Sequence, residues 1–277
     1  MKYKRKVSEV DFKDLPKTRF KQLGDILKSD FSLVLELSLI IALFSLPLYV
    51  SLVFEYLSLS MLEEIIYQKV FSIFFYFSLF EIASLMIRGI GKGAVYEVYK
   101  KRLYNEGCFI MPILFKAIKR NWYKYMLSYF ILGLSLMLLK VGSVWLYFNT
   151  SNVFARGLGI GVLIVYFFMR FSISNFSINM ENVYELKLID KYKNSISFSF
   201  LSLFFNLPIF ILFIVGPFCL TLLGYIVLII LIVLYAPFLE GFMALIQSIM
   251  MVRQYDKYID KDNYPEHYRL GLQKEEA

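Results

Sequence analysis

The sequence predicts an all-α membrane protein, a polytopic transmembrane bundle of about six helices with amphipathic helices lying in the plane of the cytoplasmic membrane surface. Three observations support this prediction. Hydrophobic residues make up 58% of the 277 positions and charged residues only 19%, and the mean hydropathy is +0.60. Long apolar runs recur along the whole chain, and the basic residues concentrate in alternate connecting segments. A soluble domain has about half apolar and a quarter charged residues.

The apolar runs are long enough to cross a bilayer, which takes about 20 residues for about 30 Å of hydrocarbon. The predicted spans are Phe31–Leu57, Val70–Ile87, Tyr123–Tyr147, Val153–Ile173, Phe198–Val215 and Phe218–Leu239. Gly216-Pro217 suits a tight turn between the last two spans. A break near Gly224 instead would carry Glu240 deeper into the bilayer. The first run is too long for a cleavable signal peptide.

The distribution of lysine and arginine predicts the orientation, because cytoplasmic segments are enriched in both. Twenty-seven of them flank the spans on one side, and only Lys69 and Arg156 fall on the other. Lys140 lies inside the third span and is expected to snorkel to the outer interface. Both termini are therefore predicted to be cytoplasmic, in a multi-pass protein of the cell membrane.

Three regions follow from these spans. Residues 1–30 form a basic amphipathic segment, residues 31–240 the six-span domain with a cytoplasmic loop at 88–122, and residues 241–277 a cytoplasmic tail. Apolar residues at helical spacing predict helices in the headgroup plane within the N-terminal segment and within the loop. The positive charge is spread over every inner segment, which favours the lipid bilayer as the partner and argues against nucleic acid.

Acidic residues inside the spans indicate a functional site, because charges in a membrane are costly. Glu36 lies about five residues into the first span and Glu81 about seven from the inner end of the second, which is about 7–10 Å deep for each. Glu240 joins this layer near the inner end of the last span. Such carboxylates would bind a cation, relay a proton, or pair with Arg88 or Arg170. The candidate polar site is therefore Glu36, Glu81, Glu240 and Arg170, and structural ion pairing is the alternative.

Prolines and glycines within the spans predict bends and close contacts. Pro47, Pro208 and Pro237 interrupt helices and are candidate hinges, with kinks in a tightly packed bundle as the alternative. Gly157 and Gly161 are four residues apart, a spacing that permits close helix packing within the chain or between chains. A homo-oligomer is accordingly one of the expected assemblies.

Catalytic and cofactor motifs are missing from the sequence, which predicts a protein that is not an enzyme, with no cofactor and no metal. The single histidine, His267, lies in the polar tail, so no buried histidine is left as a base or zinc ligand. Cys108 and Cys219 lack metal-ligand spacing. The segment Gly89–Gly93 lacks the residues of a nucleotide-binding loop. An intramembrane lipid enzyme lined by acidic residues stays an alternative.

Several short motifs follow one another along most of the chain. They are Ser45-Leu46-Pro47, Gly93-Ala94-Val95-Tyr96 with Tyr99-Lys100-Lys101, Phe115–Trp122, and Asn206-Leu207-Pro208. In these motifs the chain resembles the YesL family of bacterial membrane proteins, although it has an additional apolar hairpin arm between Pro47 and Gly93. The resemblance implies an association with solute transport, carbohydrates in particular, as an accessory or permease-like component working with other transporter subunits. The alternative is a structural or regulatory membrane partner without transport activity.

Overall fold

The computed structural model describes residues 15–106, 109–149, 153–212, 220 and 224–273. Every regular element in this part of the chain is helical, which confirms the predicted all-α bundle. The helices are α1 (Arg19–Ser29), α2 (Phe31–Ser60), α3 (Tyr67–Leu103), α4 (Ile110–Phe148), α5 (Val153–Phe171), α6 (Ile178–Val183), α7 (Leu188–Leu201), α8 (Leu203–Phe210), α9 (Tyr225–Tyr255) and α10 (Lys261–Asn263). Two π-helical segments, Ser172–Ser177 and Asp256–Asp260, follow α5 and α9.

Five of the described helices are long and apolar enough to cross a membrane: α2, α3, α4, α5, and α9 with its continuation to Asn263. Their outward faces carry large apolar side chains, among them Leu43, Phe80, Leu138 and Val233. An outer surface of this kind is stable in lipid rather than in water. The described residues therefore indicate a multi-pass membrane protein.

The helix bounds in the region of the last two predicted spans differ from those predicted. The span expected at Phe198–Val215 corresponds, where it is described, to the end of α7 and to α8, which are separated at Ser202. Helix α9 begins at Tyr225, directly after Gly224. Gly224 has a φ of +139°, which glycine adopts at little cost, so this helix starts where the alternative break was placed. The break expected at Gly216-Pro217 lies outside the described residues.

Both ends of the described chain meet at one end of the bundle, here called the terminal end. Arg19 of α1 donates a hydrogen bond to Asp256, with 2.9 Å between Nε and Oδ2. Gln22 donates to the carbonyl of Leu103 at 2.7 Å. The N–H of Gln273 donates to the carbonyl of Pro16 at 3.1 Å. These contacts bring α1, the end of α3 and the segment after α9 together.

The predicted cytoplasmic loop at 88–122 is divided between two long helices. Helix α3 continues to Leu103 and α4 begins at Ile110, so the part expected to form a separate helix in the headgroup plane is the first turns of α4. The two helices have 37 and 39 residues, and each is over 50 Å long at about 1.5 Å per residue. Both therefore extend beyond a hydrocarbon layer of about 30 Å.

The two long helices approach each other closely through glycines of α3. A Cβ atom at Gly93 would lie 2.6 Å from ring carbons of Tyr125, and one at Gly89 would lie 2.8 Å from the ring of Tyr129. On the other face, a Cβ at Gly91 would lie 2.5 Å from the ring of Phe44 in α2. The glycines thus let α3 pack between α2 and α4. The half of α3 nearer the terminal end is buried in protein.

Candidate functional site

Two carboxylates and one ammonium group meet between α2, α3 and α4 within the apolar part of the bundle. Lys140 Nζ lies 2.6 Å from Oε2 of Glu55 and 2.7 Å from both carboxylate oxygens of Glu81. Glu81 is 1% exposed and Glu55 is 5% exposed. We call these three residues the lysine triad. At about 1.5 Å per residue, it lies about 12 Å from the end of α4 and about 21 Å from the start of α3.

The position of Lys140 differs from the sequence expectation. Its side chain does not extend to an interface but points into the bundle, where Nζ lies 5.9 Å from the ring centroid of Phe74. Snorkelling keeps an ammonium hydrated, but here two buried carboxylates replace the water. The partner of Glu81 in the membrane is therefore a lysine that sequence reasoning had assigned to the outer surface.

Glu36 lies apart from this site, contrary to the prediction. Its side chain is exposed on α2, and 19 residues separate it from Glu55, the acidic residue of α2 that does approach Glu81. At about 1.5 Å per residue this is a distance of about 29 Å along the helix. The predicted pairing of Glu36 and Glu81 at a shared depth is wrong.

A second polar cluster lies nearer the terminal end and contains Glu240. Arg88 Nη2 forms a salt bridge with Glu240 Oε1, and the hydroxyl of Tyr49 donates to the same oxygen at 2.9 Å. The positive charges of Lys92 and Arg170 also act on Glu240. We call these five residues the arginine cluster. The charge of Arg170 acts on Glu240, and a shared site of these two residues stays a prediction. The carboxylate paired with Arg88 is Glu240 rather than Glu36 or Glu81.

The two clusters are stacked along one face of α3. Glu81, Arg88 and Lys92 are seven and four residues apart, a spacing that places side chains on the same face of a helix. All three are buried. Together the lysine triad and the arginine cluster form a buried polar column that extends about 17 Å along α3.

A close contact between α2 and α9 positions Glu240 in this column. The N–H of Gly241 donates to Ser38 Oγ at 2.8 Å, and that hydroxyl donates to the carbonyl of Ala236 at 3.0 Å. A Cβ atom at Gly241 would lie 2.4 Å from the carbonyl oxygen of Val34. The absence of a side chain at Gly241 therefore lets the backbones approach and aims the preceding residue, Glu240, between α2 and α3.

The candidate hinges lie within helices. Pro47 is inside α2, Pro237 inside α9 and Pro208 inside α8. The interruption between α7 and α8 falls at Ser202 rather than at Pro208. Pro47 stands two residues before Tyr49 and Pro237 three before Glu240, so both flank the arginine cluster. Their role as hinges stays a prediction.

The glycines expected to pack are located on an open face of α5. A Cβ atom at Gly157 or Gly161 would meet nothing within 4 Å in the described chain. Gly159 packs instead, because a Cβ there would lie 2.4 Å from a methyl carbon of Leu146 on α4. The expectation of close packing within the chain therefore fails at Gly157 and Gly161, and contact between chains stays a prediction.

A third polar network lies near the terminal end, around α6 and α7. Glu181 forms salt bridges with Lys124 and with Lys191, the latter at 3.1 Å. Burial lowers the pKa of Lys191, and the charge of Glu181 opposes this shift. Burial and a hydrogen bond to Asp260 raise the pKa of Tyr184 far above its usual value. These groups pair with one another and hold α6 and α7 against the bundle.

Within the described residues, no three histidine, cysteine, aspartate or glutamate side chains come together as metal ligands. Comparison with known proteins finds no family model, no curated protein and no solved structure that matches this chain. The geometry of the polar column is therefore the basis on which a function is proposed.

Proposed function

We propose that this protein is a multi-pass protein of the cell membrane, with both termini in the cytoplasm, that takes part in solute transport as a permease-like or accessory component. The polar column is the observation that carries this proposal. Ionised groups within a membrane are rare and usually mark substrate or ion pathways. Replacing a buried ion pair by apolar residues often leaves stability unchanged or raises it, so stability alone does not account for these charges.

The location of the prolines supports a role in movement. Pro47 and Pro237 stand within one turn of Tyr49 and Glu240, and Glu240 accepts from both Tyr49 and Arg88. Proline removes a helix hydrogen bond and weakens the helix at that point. Bending of α2 or α9 there would separate these partners and expose hydrogen-bonding groups to a polar solute, as in transporters with broken helices.

Carbohydrates are the solute class that we propose, from the resemblance to the YesL family, and membership in that family is part of the proposal. Sugars carry many hydroxyl groups that hydrogen-bond to charged and phenolic side chains. The arginine cluster combines two arginines, a lysine, a carboxylate and a tyrosine. This is a suitable set of donors and acceptors for such a solute.

Solute exchange in proteoliposomes tests this proposal. The full-length protein is reconstituted, and exchange of radiolabelled mono- and disaccharides is measured for the wild type, Glu81→Gln and Glu36→Gln. We expect exchange of at least one sugar by the wild type, a strong reduction in E81Q and no change in E36Q, because Glu36 lies outside the column. Unchanged exchange in E81Q, or no exchange of any sugar by the wild type, would contradict a carrier role for this chain alone.

A structural or regulatory partner without transport activity is the second candidate function. The first turns of α4 support it, because large apolar side chains such as Phe115 and Trp122 are exposed beside the basic residues Lys116, Lys119 and Arg120. A face with both properties fits another membrane protein near the headgroups. A stable second subunit that co-purifies from native membranes, with no solute movement in liposomes, would favour this function.

A further inference from the structure

We propose that the lysine triad binds one exchangeable proton, carried as a carboxylic acid on Glu55. This inference deepens the proposed function by naming the proton as the coupling ion, and it rests on the proposed function only for that coupling role. The proton site itself follows from the charges and hydrogen bonds of Glu55, Glu81 and Lys140.

The charges of the triad do not balance when both carboxylates are ionised. One ammonium against two carboxylates leaves one net negative charge inside an apolar bundle, where an uncompensated charge is very costly. The charged groups that act on Glu55 are Lys140 of α4 and Glu81 of α3. A single proton brings the triad to neutrality.

The other cations of the polar column lie farther along the bundle. Helix α9 also packs against α2, but its Glu240 is held by Arg88 of α3 and by Tyr49 of α2. Tyr49 precedes Glu55 by six residues, which is about 9 Å along the helix. The cations of the arginine cluster are not among the charged groups that act on Glu55, so the excess negative charge beside Glu55 is that of the lysine triad itself.

Hydrogen bonding assigns the proton to Glu55. Both carboxylate oxygens of Glu81 accept from Lys140 at 2.7 Å. Glu55 uses only Oε2 for this contact, and its buried Oε1 has no hydrogen-bond partner among the described residues. Because Oε2 already accepts from Lys140 and an ionised oxygen buried without a partner is costly, Oε1 is the oxygen that carries the proton.

Two buried hydroxyl groups provide an independent observation in the same region. Ser51 and Ser78 stand one turn before Glu55 and Glu81, and are 2% and 1% exposed. Their Oγ atoms also have no hydrogen-bond partner in the described part of the chain. A hydroxyl can accept a hydrogen bond from a carboxylic acid and donate one to a carboxylate. These serines therefore suit a site whose carboxyl group changes between the two forms.

The position of Lys140 favours a proton over a metal cation. Its ammonium already occupies the space between the two carboxylates, within 2.7 Å of each. A sodium ion would have to displace this ammonium or lie beside it against electrostatic repulsion. A proton needs only the free Oε1 of Glu55, and the step is a simple equilibrium between carboxylate plus proton and carboxylic acid.

Infrared difference spectroscopy of the reconstituted full-length protein tests this inference. Spectra are recorded over a pH series, in water and in deuterated water, for the wild type, Glu55→Gln, Glu81→Gln and Glu36→Gln. We expect a carboxylic-acid C=O band near neutral pH in the wild type that disappears as pH rises. E36Q should keep this band and E55Q should lose it. E81Q should lose it too, because Glu55 and Lys140 then balance each other.

Two further measurements keep the outcomes distinct. Thermal unfolding checks that each variant is folded, and E81Q still tests the inference if E55Q fails to fold, because it retains Glu55. Titrations in sodium chloride and in choline chloride should coincide. The inference is overturned if the band survives in E55Q or E81Q, if the wild type has no such band while folded, or if sodium alone shifts the titration. A titrating band without sugar exchange would leave the proton site standing and remove the carrier role.

Discussion

At the scale of single residues, the pair formed by Arg88 and Glu240 shows how a charge is kept inside this bundle. Glu240 is 3% exposed and accepts from both the guanidinium of Arg88 and the hydroxyl of Tyr49. Taking two ions out of water is costly, and direct pairing with further hydrogen bonds compensates for that cost. The burial of each charge, that of Arg88 and that of Glu240, therefore depends on the other.

Replacing Arg88 with methionine should strongly destabilise the protein. The carboxylate of Glu240 would remain buried without its main partner, which typically costs about 3–5 kcal/mol. The double variant Arg88→Met, Glu240→Met should be less destabilised than R88M, because it no longer buries the Glu240 carboxylate without its guanidinium partner. Thermal unfolding of the detergent-solubilised variants measures both effects.

Arg120→Met is a matched control for this substitution. Arg120 is half exposed and lies 3.6 Å from Glu97, a buried carboxylate that keeps a second partner in Lys100 at 3.0 Å, so the loss of this solvent-exposed guanidinium should cost about 1 kcal/mol or less. Pairing of Arg88 with Glu240 is contradicted if R88M is no less stable than R120M, or if the double variant loses as much stability as Arg88→Met and Glu240→Met, measured singly, lose together.

At the scale of helices, hydropathy was sufficient to predict where the long helices run. Helices α2 and α5 begin at Phe31 and Val153, the first residues of the predicted spans. Hydropathy did not predict how far they continue, because the added turns of α3 and α4 carry charged residues beside a buried face. Those turns are stabilised by packing against the bundle, which a local apolar run does not record.

The main error in predicting the site is the choice of Glu36, and not Glu55, as the acidic residue of α2 that faces the bundle interior. This helix is apolar almost all round, so periodicity does not show which acidic residue points inward. The position of Glu55 along the bundle axis, relative to Glu81, is a second feature that the sequence does not predict. Glu55 stands five residues before the end of α2 but contacts Glu81, fourteen residues into α3, because α3 begins well beyond the end of α2. Only the packing of the two helices reveals this offset.

Replacing Gly241 with alanine should separate α2 from α9. The new Cβ would clash with the backbone of Val34 and Ser38, at 2.4 and 2.8 Å, and overpacking of this kind costs about 1–3 kcal/mol or more. We expect a lower unfolding temperature. Gly161→Ala is the control and should leave stability nearly unchanged, because its Cβ meets open space. Equal effects of the two substitutions would contradict the close α2–α9 contact.

At the scale of the whole molecule, both ends of the described chain meet at one end of the bundle, which predicts that both lie on the same side of the membrane. Basic residues such as Lys100, Lys101 and Arg102 lie near this terminal end, while Glu63 and Glu64 lie between α2 and α3 at the other. The enrichment of lysine and arginine in cytoplasmic segments then predicts that the terminal end lies inside the cell.

Cysteine labelling of intact cells tests this orientation. After Cys108 and Cys219 are replaced by serine, a membrane-impermeant maleimide should label Glu64→Cys from outside. It should label Glu266→Cys only after the membrane is permeabilised. Labelling of E266C in intact cells would reverse the orientation, and with it the side from which the lysine triad is approached.

The contacts at the terminal end also have a consequence for the order of assembly. Arg19 and Asp256 are 237 positions apart in the chain, so the first described helix is synthesised long before its partner. The chain is made from its N-terminus, so the guanidinium of Arg19 has no Asp256 carboxylate to bind until α9 and the residue after it have been synthesised. The contact between α1 and the segment after α9 therefore forms only when most of the chain is present.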